Sequence, residues 1–124
     1  LWDAHSIRSE IPWLFDGRLP DLSIGTASGA SAAEALTAGV VQACAAYPQF
    51  STAVNGRFKG GYITRHYGQP DQHIHAIQLE MCQSLYMREV APFAYDEARA
   101  TLVQPLLKKM VASPLEISRR RYEK

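Results

Sequence analysis

Residues 73–82 constrain the fold of this 124-residue chain more than any other segment. The segment, His-Ile-His-Ala-Ile-Gln-Leu-Glu-Met-Cys, is nearly continuous apolar sequence, which is typical of a strand covered on both faces. Shorter runs of apolar, β-branched and aromatic residues between turn signals predict further strands. These are predicted at residues 1–3, 21–26, 50–54 and 62–67. The first leads into a loop that has His5 at its edge.

Two helices are predicted among these strands. The first begins at a capping box formed by Ser31 and Glu34 and continues to about Tyr47. Its buried stripe is predicted to be Leu36, Val40 and Cys44. The second begins near Tyr95, and its buried stripe is predicted to be Ala98, Leu102, Leu106 and Met110. Strands separated by helices indicate an α/β protein with a mixed sheet.

Composition and charge exclude several classes of partner. Lys and Arg total 13 against 12 Asp and Glu, so no strong field attracts nucleic acid or an anionic membrane. No apolar stretch approaches the roughly 18 residues of a membrane-spanning helix. Cys44 and Cys82 lie far apart in apolar surroundings, which indicates free core thiols, with a disulfide as the alternative. We therefore expect a cytoplasmic protein with neither nucleic acid nor a membrane as its partner.

The chain is long enough for a single domain, residues 1–124. It opens on Leu1-Trp2-Asp3 without an initiator Met, and these residues resemble the end of a strand already under way. We therefore expect the domain to be the C-terminal portion of a longer protein.

Residues 55–68 carry the strongest functional signal. The segment is Asn-Gly-Arg-Phe-Lys-Gly-Gly-Tyr-Ile-Thr-Arg-His-Tyr-Gly, and it concentrates basic side chains beside glycines. An arginine forks onto a carboxylate with two parallel hydrogen bonds, and a glycine lets the backbone approach a ligand closely. The segment therefore predicts a site for an acidic ligand. The alternative is an ordinary β-hairpin with solvated basic residues.

His5 and Glu80 are the main candidates for chemistry. A histidine beyond a strand end is well placed to bind zinc, and Asp3 would orient its other ring nitrogen. The alternative is a hydrogen-bonded loop histidine. Glu80 is predicted to lie on a mostly apolar strand face, where burial would raise its pKa towards the range of a general acid or base. The alternative for Glu80 is a salt bridge to Arg57, Lys59 or Arg65.

Three other histidines are weaker candidates. His73 and His75 share a predicted strand face at a spacing that can bind metal, but we interpret them as surface or edge residues. His66 follows Arg65, and it is either a partner of a site residue or an ordinary loop residue.

Together, these segments resemble the N-formylglutamate amidohydrolase (N-formylglutamate deformylase) family. The matching stretches are residues 3–12, 14–17, 24–26, 55–61, 64–68 and 75–80. The run from residue 55 to residue 68 is far more specific than any short pattern. The resemblance implies a zinc-carboxypeptidase-like fold, of which this chain is the C-terminal part: a three-layer α/β/α sandwich around a mixed sheet.

The resemblance also implies roles for individual residues. His5 matches the last zinc ligand of the family, whereas the earlier ligands, a histidine and an acidic residue, have no counterpart in this chain. Glu80 matches the catalytic glutamate, and Arg8 is the candidate for stabilising the oxyanion. The segments that would line the substrate pocket and hold its carboxylates contribute Arg8, Asn55, Arg57 and Arg65.

The implied reaction is the zinc-dependent hydrolysis of N-formyl-L-glutamate to formate and L-glutamate, late in histidine breakdown. Without the remaining zinc ligands, this chain alone is expected to bind zinc weakly and to be inactive. Two alternatives stay open. One is a zinc deacylase that acts on another N-acyl amino acid, and the other is a non-catalytic domain that binds carboxylates.

Overall fold

The sheet has four strands in a computed structural model that describes residues 1–123. The strands are β1 (Trp2–Ile7), β2 (Leu22–Gly25), β3 (Thr52–Val54) and β4 (Ile77–Cys82). Their order across the sheet is β1-β4-β2-β3. β4 is parallel to β1 and antiparallel to β2, and β2 is parallel to β3. The sheet is therefore mixed, as predicted.

Helices lie on both faces of this sheet. They are α1 (Glu34–Ala45), α2 (Tyr62–Tyr67) and α3 (Glu97–Tyr122), with short 3₁₀ turns at Pro70–Gln72 and Gln83–Leu85. α1 and α3 pack together on one face, where the Ser113 hydroxyl donates to the Gly39 carbonyl at 3.2 Å. α2 lies over the other face, and the α/β class is confirmed. None of the helices within residues 1–123 is both long enough and apolar enough to cross a membrane.

The hydrophobic core lies between the sheet and the layer of α1 and α3. Its most deeply buried large side chains are Leu22, Ile24, Val40, Val103, Leu106 and Met110. On β4, Ile77 and Leu79 point into this core, so the alternation of a strand places Gln78 and Glu80 on the opposite face. The core thus determines which face of the sheet carries the polar residues.

β1 is longer than predicted, and the predicted loop position of His5 is wrong. The strand continues to Ile7 because it pairs with β4 along its whole length, from Trp2 opposite Ile77 to Ile7 opposite Cys82. This pairing is non-local, so the short apolar signal at residues 1–3 does not reveal it. His5 is therefore held inside a strand.

The prediction of a strand at residues 62–67 is also wrong, because these residues form α2. The β-branched and aromatic side chains favour a strand locally, but tertiary contacts override that preference. Thr64 is fully buried beneath Gly60, and the amide of Arg65 donates to the Gly61 carbonyl at 3.1 Å. The hairpin alternative therefore fails as well, and β3 pairs with β2 instead.

The extent of α1 is close to the prediction, but its cap differs. Ser31 donates to the carbonyl of Ala76 at 2.7 Å, so it is not available for a capping box. Nδ1 of His75 instead accepts a hydrogen bond from the amide of Ala33, the N-cap residue, at 3.0 Å. The predicted stripe on this helix is confirmed, with Leu36, Val40 and Cys44 all buried.

On α3 the predicted stripe is only half correct. Leu106 and Met110 are buried, whereas Ala98 and Leu102 are exposed. The buried residues are Ala100, Val103, Leu106, Met110 and Pro114. A constant spacing of four drifts around a helix of 3.6 residues per turn, so a buried stripe has to mix spacings of three and four.

Cys44 and Cys82 are free and buried, as predicted. Burial raises the pKa of both thiols, and it raises the pKa of Cys82 to about 11. Both thiols therefore stay protonated near neutral pH and pack as small core side chains.

Replacement of Leu106 should distinguish the observed face of α3 from the predicted one. Leu106 is 0% exposed and Leu102 is 66% exposed. Leu106→Ala should lower the free energy of unfolding by about 2–5 kcal/mol, because it leaves a cavity in the core. Leu102→Ala should change it by less than about 0.5 kcal/mol. Urea denaturation measures both, and equal losses would contradict the observed packing of α3.

Candidate active site

Three polar residues form a row across the sheet on the face opposite α1 and α3. The register of β1 and β4 places His5 opposite Glu80, and the register of β4 and β2 places Ser23 opposite Glu80. Residues opposite one another on neighbouring strands point to the same face. The structure therefore brings His5 and Glu80 together, as a shared reaction centre requires. The adjacent row consists of Asp3, Gln78 and Gly25.

Asp3 and His5 form a close pair on β1. Asp3 Oδ1 lies 2.8 Å from His5 Nε2, and the Asp3 side chain is mostly buried while that of His5 is about half exposed. The buried carboxylate holds the imidazole ring in one orientation, as the sequence predicted. Because Nε2 faces Asp3, Nδ1 is the ring nitrogen left for another partner.

Glu80 is half-buried, and burial raises the pKa of its carboxyl group. The positive charge of a protonated His5 opposes this rise, and the negative charge of Asp3 adds to it. The ion pairs of residues 1–123 do not include Glu80, so the alternative of a salt bridge to Arg57, Lys59 or Arg65 is wrong. A carboxyl group with a raised pKa and no salt bridge to lysine or arginine is suited to carry a proton.

A cavity of about 300 Å³ opens over this face of the sheet. Its lining residues are Asp3, His5, Gly61, Tyr62, Ile63, Gln78 and Glu80. Side chains of β1 and β4 form the polar floor, and the beginning of α2 forms one wall. The cavity therefore offers carboxylates, an imidazole and an amide beside an aromatic ring.

Close backbone packing holds that wall against the sheet. A Cβ atom on Gly25 would lie 2.6 Å from the backbone nitrogen of Gly60, so β2 and the segment before α2 touch directly. Gly60 has a φ of +103°, a conformation that favours glycine. The amide of Gly61 donates to Oε1 of Gln78 at 3.0 Å. Gly25 and Gly60 therefore serve backbone packing, while Gly61 also faces the cavity.

The predicted basic residues do not line the cavity. The Arg57 guanidinium lies 4.9 Å from the centre of the Phe15 ring, and Arg65 Nη1 donates to the Gly60 carbonyl at 3.1 Å. Arg8 is exposed directly after β1. The structure therefore does not place Arg8, Arg57 or Arg65 beside Glu80, and their roles stay predictions.

Asn55 is engaged in a structural contact at the end of β2. Its Oδ1 accepts from the Thr26 amide at 2.8 Å, and its Nδ2 donates to the Thr26 hydroxyl at 2.8 Å. Its φ of +50° is one that asparagine tolerates better than most residues. The amide group holds a turn, and the predicted role of Asn55 in binding substrate stays a prediction.

The three weaker histidine candidates lie outside the cavity. His75 is buried rather than at the surface, which corrects the prediction, because its ring caps α1 through Ala33. Burial, followed by nearby positive charges, lowers the pKa of His75. His73 is exposed, as predicted, and His66 stacks on Tyr62 with 4.9 Å between ring centres.

Sequence reasoning missed four residues that line the cavity: Gly61, Tyr62, Ile63 and Gln78. The first three belong to the segment 55–68, which predicted a ligand site, but the wrong strand prediction at 62–67 concealed how Tyr62 and Ile63 face the cavity. The position of Gln78 was predictable, because strand alternation places it on the same face as Glu80.

The donors near the cavity fit one part of a zinc centre. A catalytic zinc ion typically has three protein ligands. No group of three or more His, Cys, Asp or Glu side chains within residues 1–123 is arranged to hold a metal ion. His5, with Asp3 behind its ring, nevertheless has the arrangement of a metal-binding histidine held by a carboxylate.

Gly25→Ala should displace the wall of the cavity. The added methyl group would meet the backbone of Lys59 and Gly60, and we expect a loss of about 1–3 kcal/mol of stability. Hydrogen exchange should show loss of protection at the Gly61 amide. Gly56→Ala is the matched control, because its new Cβ would lie 3.5 Å from Ala53, an ordinary contact. Unchanged protection in Gly25→Ala would contradict the role of this contact.

Comparison with known proteins identifies close relatives of the chain. Two curated N-formylglutamate deformylases, from Pseudomonas aeruginosa and Pseudomonas putida, are 55% and 52% identical over 122 and 124 residues. The alignments cover 98% and 100% of this chain but 46% of each relative, so the chain spans about half the length of the curated relatives it matches.

A solved structure shares the fold. The crystal structure of N-formylglutamate amidohydrolase from Ralstonia eutropha JMP134 matches with a TM-score of 0.77 and 23% sequence identity, covering 96% of this chain and 43% of that one. The family model of N-formylglutamate amidohydrolase matches residues 1–87. That match covers well over half of the sequence, and the chain belongs to the N-formylglutamate amidohydrolase family.

Proposed function

We propose that this chain supplies the catalytic glutamate and one metal ligand of an enzyme that hydrolyses N-formyl-L-glutamate to formate and L-glutamate. The observation that supports this most strongly is the position of His5 directly opposite Glu80, in one cavity. The family and the names of the Pseudomonas relatives support the choice of substrate. As the family resemblance implies, we place the reaction in histidine breakdown, and the two free cysteines favour the cytoplasm as its compartment.

His5, oriented by Asp3, would hold one divalent metal ion, which we propose to be zinc. When bound with its further ligands, zinc would polarise the formyl carbonyl and lower the pKa of its bound water to about 7. Residues 1–123 provide no complete ligand set. We therefore expect this chain by itself to bind zinc weakly and to show no turnover.

Glu80 is the proton carrier in this proposal. As the attacking water oxygen bonds to the formyl carbon, the Glu80 carboxylate takes a proton from the water. It then delivers that proton to the departing nitrogen as the carbon–nitrogen bond breaks, and the second proton of the water also ends on the nitrogen, which leaves formate and L-glutamate with its ammonium group. Positioned proton transfer of this kind contributes a factor of roughly 10² to 10⁴. The raised pKa of Glu80 suits a group that must both accept and donate.

The arginines would compensate the two carboxylates of the substrate. Arg57 rests on an aromatic ring and Arg65 donates to one backbone carbonyl. Both are contacts that an exposed side chain exchanges for a carboxylate, which binds guanidinium groups more strongly. We assign the oxyanion to Arg8, because it follows the strand that carries His5, and we keep Asn55 as a substrate-binding candidate.

The limited set of metal donors favours one alternative, a non-catalytic domain that binds carboxylates. Metal analysis separates the two functions. A binding domain would contain no stoichiometric zinc, even when it is joined to the part of a relative that this chain does not match. A deacylase of another N-acyl amino acid would contain zinc but would prefer a different acyl group or amino acid in a substrate panel.

Glu80→Gln should abolish turnover without removing the metal. The test uses a chimera in which this chain replaces the matching part of the Pseudomonas aeruginosa relative. We expect kcat to fall by roughly 10² to 10⁴, because the neutral amide cannot accept a proton. Zinc content measured by elemental analysis should not change. Glu34→Gln, at an exposed acid on α1, is the control, and retained activity in Glu80→Gln would end the assignment.

Arg65→Ala should weaken binding of the dicarboxylate substrate. We expect KM for N-formyl-L-glutamate in the chimera to rise roughly 10-fold or more, with a smaller change in kcat, because a charged hydrogen bond is lost. Steady-state kinetics measures both constants. Arg119→Ala, at an exposed arginine near the end of α3, provides the comparison. An unchanged KM would show that Arg65 only stabilises the Gly60 turn.

A further inference from the structure

Gln78 is a buried polar side chain in the floor of the cavity. It lies between Asp3 on β1 and Gly25 on β2, and two residues before Glu80 on the same face. Only 7% of the residue is exposed, yet it lines the cavity together with Glu80. A buried amide at this position requires partners for both of its ends.

The hydrogen bond from Gly61 fixes the orientation of this amide. An amide oxygen accepts and an amide nitrogen donates, so the group that faces the Gly61 N–H is Oε1. Nε2 consequently points away from Gly61. The backbone of Gly61 is itself held by the close approach of Gly25 and Gly60, so the side chain of Gln78 cannot turn over without losing this bond.

Nε2 of Gln78 has no hydrogen-bond partner within residues 1–123. In this part of the chain, the fully buried side-chain nitrogen and oxygen atoms without a hydrogen-bond partner are Thr64 Oγ1 and His75 Nε2. Nε2 of Gln78 is not one of these, so it is not enclosed by protein. Because Gln78 lines the cavity, its unpaired donor is open to whatever occupies that space.

We propose that Gln78 is a substrate-binding residue, whose Nε2–H group donates a hydrogen bond to an oxygen of the N-formyl amino acid. This assignment rests on the function proposed above. Asp3 and Glu80 are acceptors when ionised, and an anionic substrate needs donors. Gln78 provides a donor beside Glu80 without adding charge. Its Oε1 accepts a hydrogen bond from the Gly61 amide, so the same side chain links the substrate to the wall formed by α2.

Two replacements of Gln78 separate binding from structure. In the chimera, Gln78→Met removes both the donor and the acceptor, whereas Gln78→Glu keeps an acceptor for the Gly61 amide and removes the donor. We expect KM for N-formyl-L-glutamate to rise roughly 10- to 100-fold in both variants. Protection of the Gly61 amide from hydrogen exchange should be lost only in Gln78→Met.

Analogues identify the oxygen that accepts the bond. N-formyl-L-norvaline lacks the side-chain carboxylate, and 4-formamidobutanoate lacks the α-carboxylate. Gln78→Met introduces no charge, so its penalty should disappear for the analogue that lacks the contacted oxygen. A penalty that persists for both analogues assigns the bond to the formyl oxygen.

Two results would overturn the role of Gln78. One is a wild-type KM in both variants, and the other is full recovery of KM in Gln78→Glu, which would show that the residue only holds Gly61. Calorimetric binding of N-formyl-L-glutamate keeps the test independent of turnover. A chimera that binds without turnover, and loses binding in Gln78→Met, would contradict the proposed reaction and support the role of Gln78. A chimera that does not bind the compound would contradict both.

Discussion

The parallel pairing of β1 with β4 is the interaction on which the candidate site depends. It places His5 opposite Glu80 and Asp3 opposite Gln78, so four polar side chains from two distant segments share one face. A shift of one residue in the register between β1 and β4 would turn the polar side chains of one strand towards the core. The apolar residues Ile77 and Leu79 prevent that shift, because they must point towards α1 and α3. Core packing therefore determines the geometry of the polar face.

A second constraint joins the basic, glycine-rich segment to this face. The contact of Gly25 with Gly60, the burial of Thr64 and the bond from Gly61 to Gln78 together hold α2 beside the cavity. These contacts use backbone atoms and small side chains, and the charged side chains stay exposed. The segment predicted to bind a ligand thus forms a wall of the cavity, and its two arginines, Arg57 and Arg65, are exposed and do not line the cavity.

The sequence predicted the parts of the structure that depend on local pattern. The strand at β4, which begins at Ile77 rather than at His73, and the stripe on α1 follow from periodicity. The roles of His5 and Glu80, taken from residue chemistry and the family resemblance, stay predictions. The length of β1, the helical conformation of α2 and the burial of His75 depend on contacts between distant segments. Local preference carries no information about such contacts, which is why His5 was predicted to lie in a loop. Gln78 shows the reverse case, since strand alternation predicts its face, whereas its hydrogen bond with Gly61 depends on the position of α2.

The charges of the cavity limit how the proposed reaction can work. Asp3 and Glu80 both line it, and each raises the cost of placing another negative charge there. N-formyl-L-glutamate brings two carboxylates, and the lining within residues 1–123 includes no lysine or arginine. Burial and Asp3 already raise the pKa of Glu80. A dianionic substrate would therefore bind only if positively charged groups also approach the cavity. In the proposed function the exposed arginines and a divalent ion at His5 supply that charge, so substrate binding, metal binding and ionisation of Glu80 are coupled.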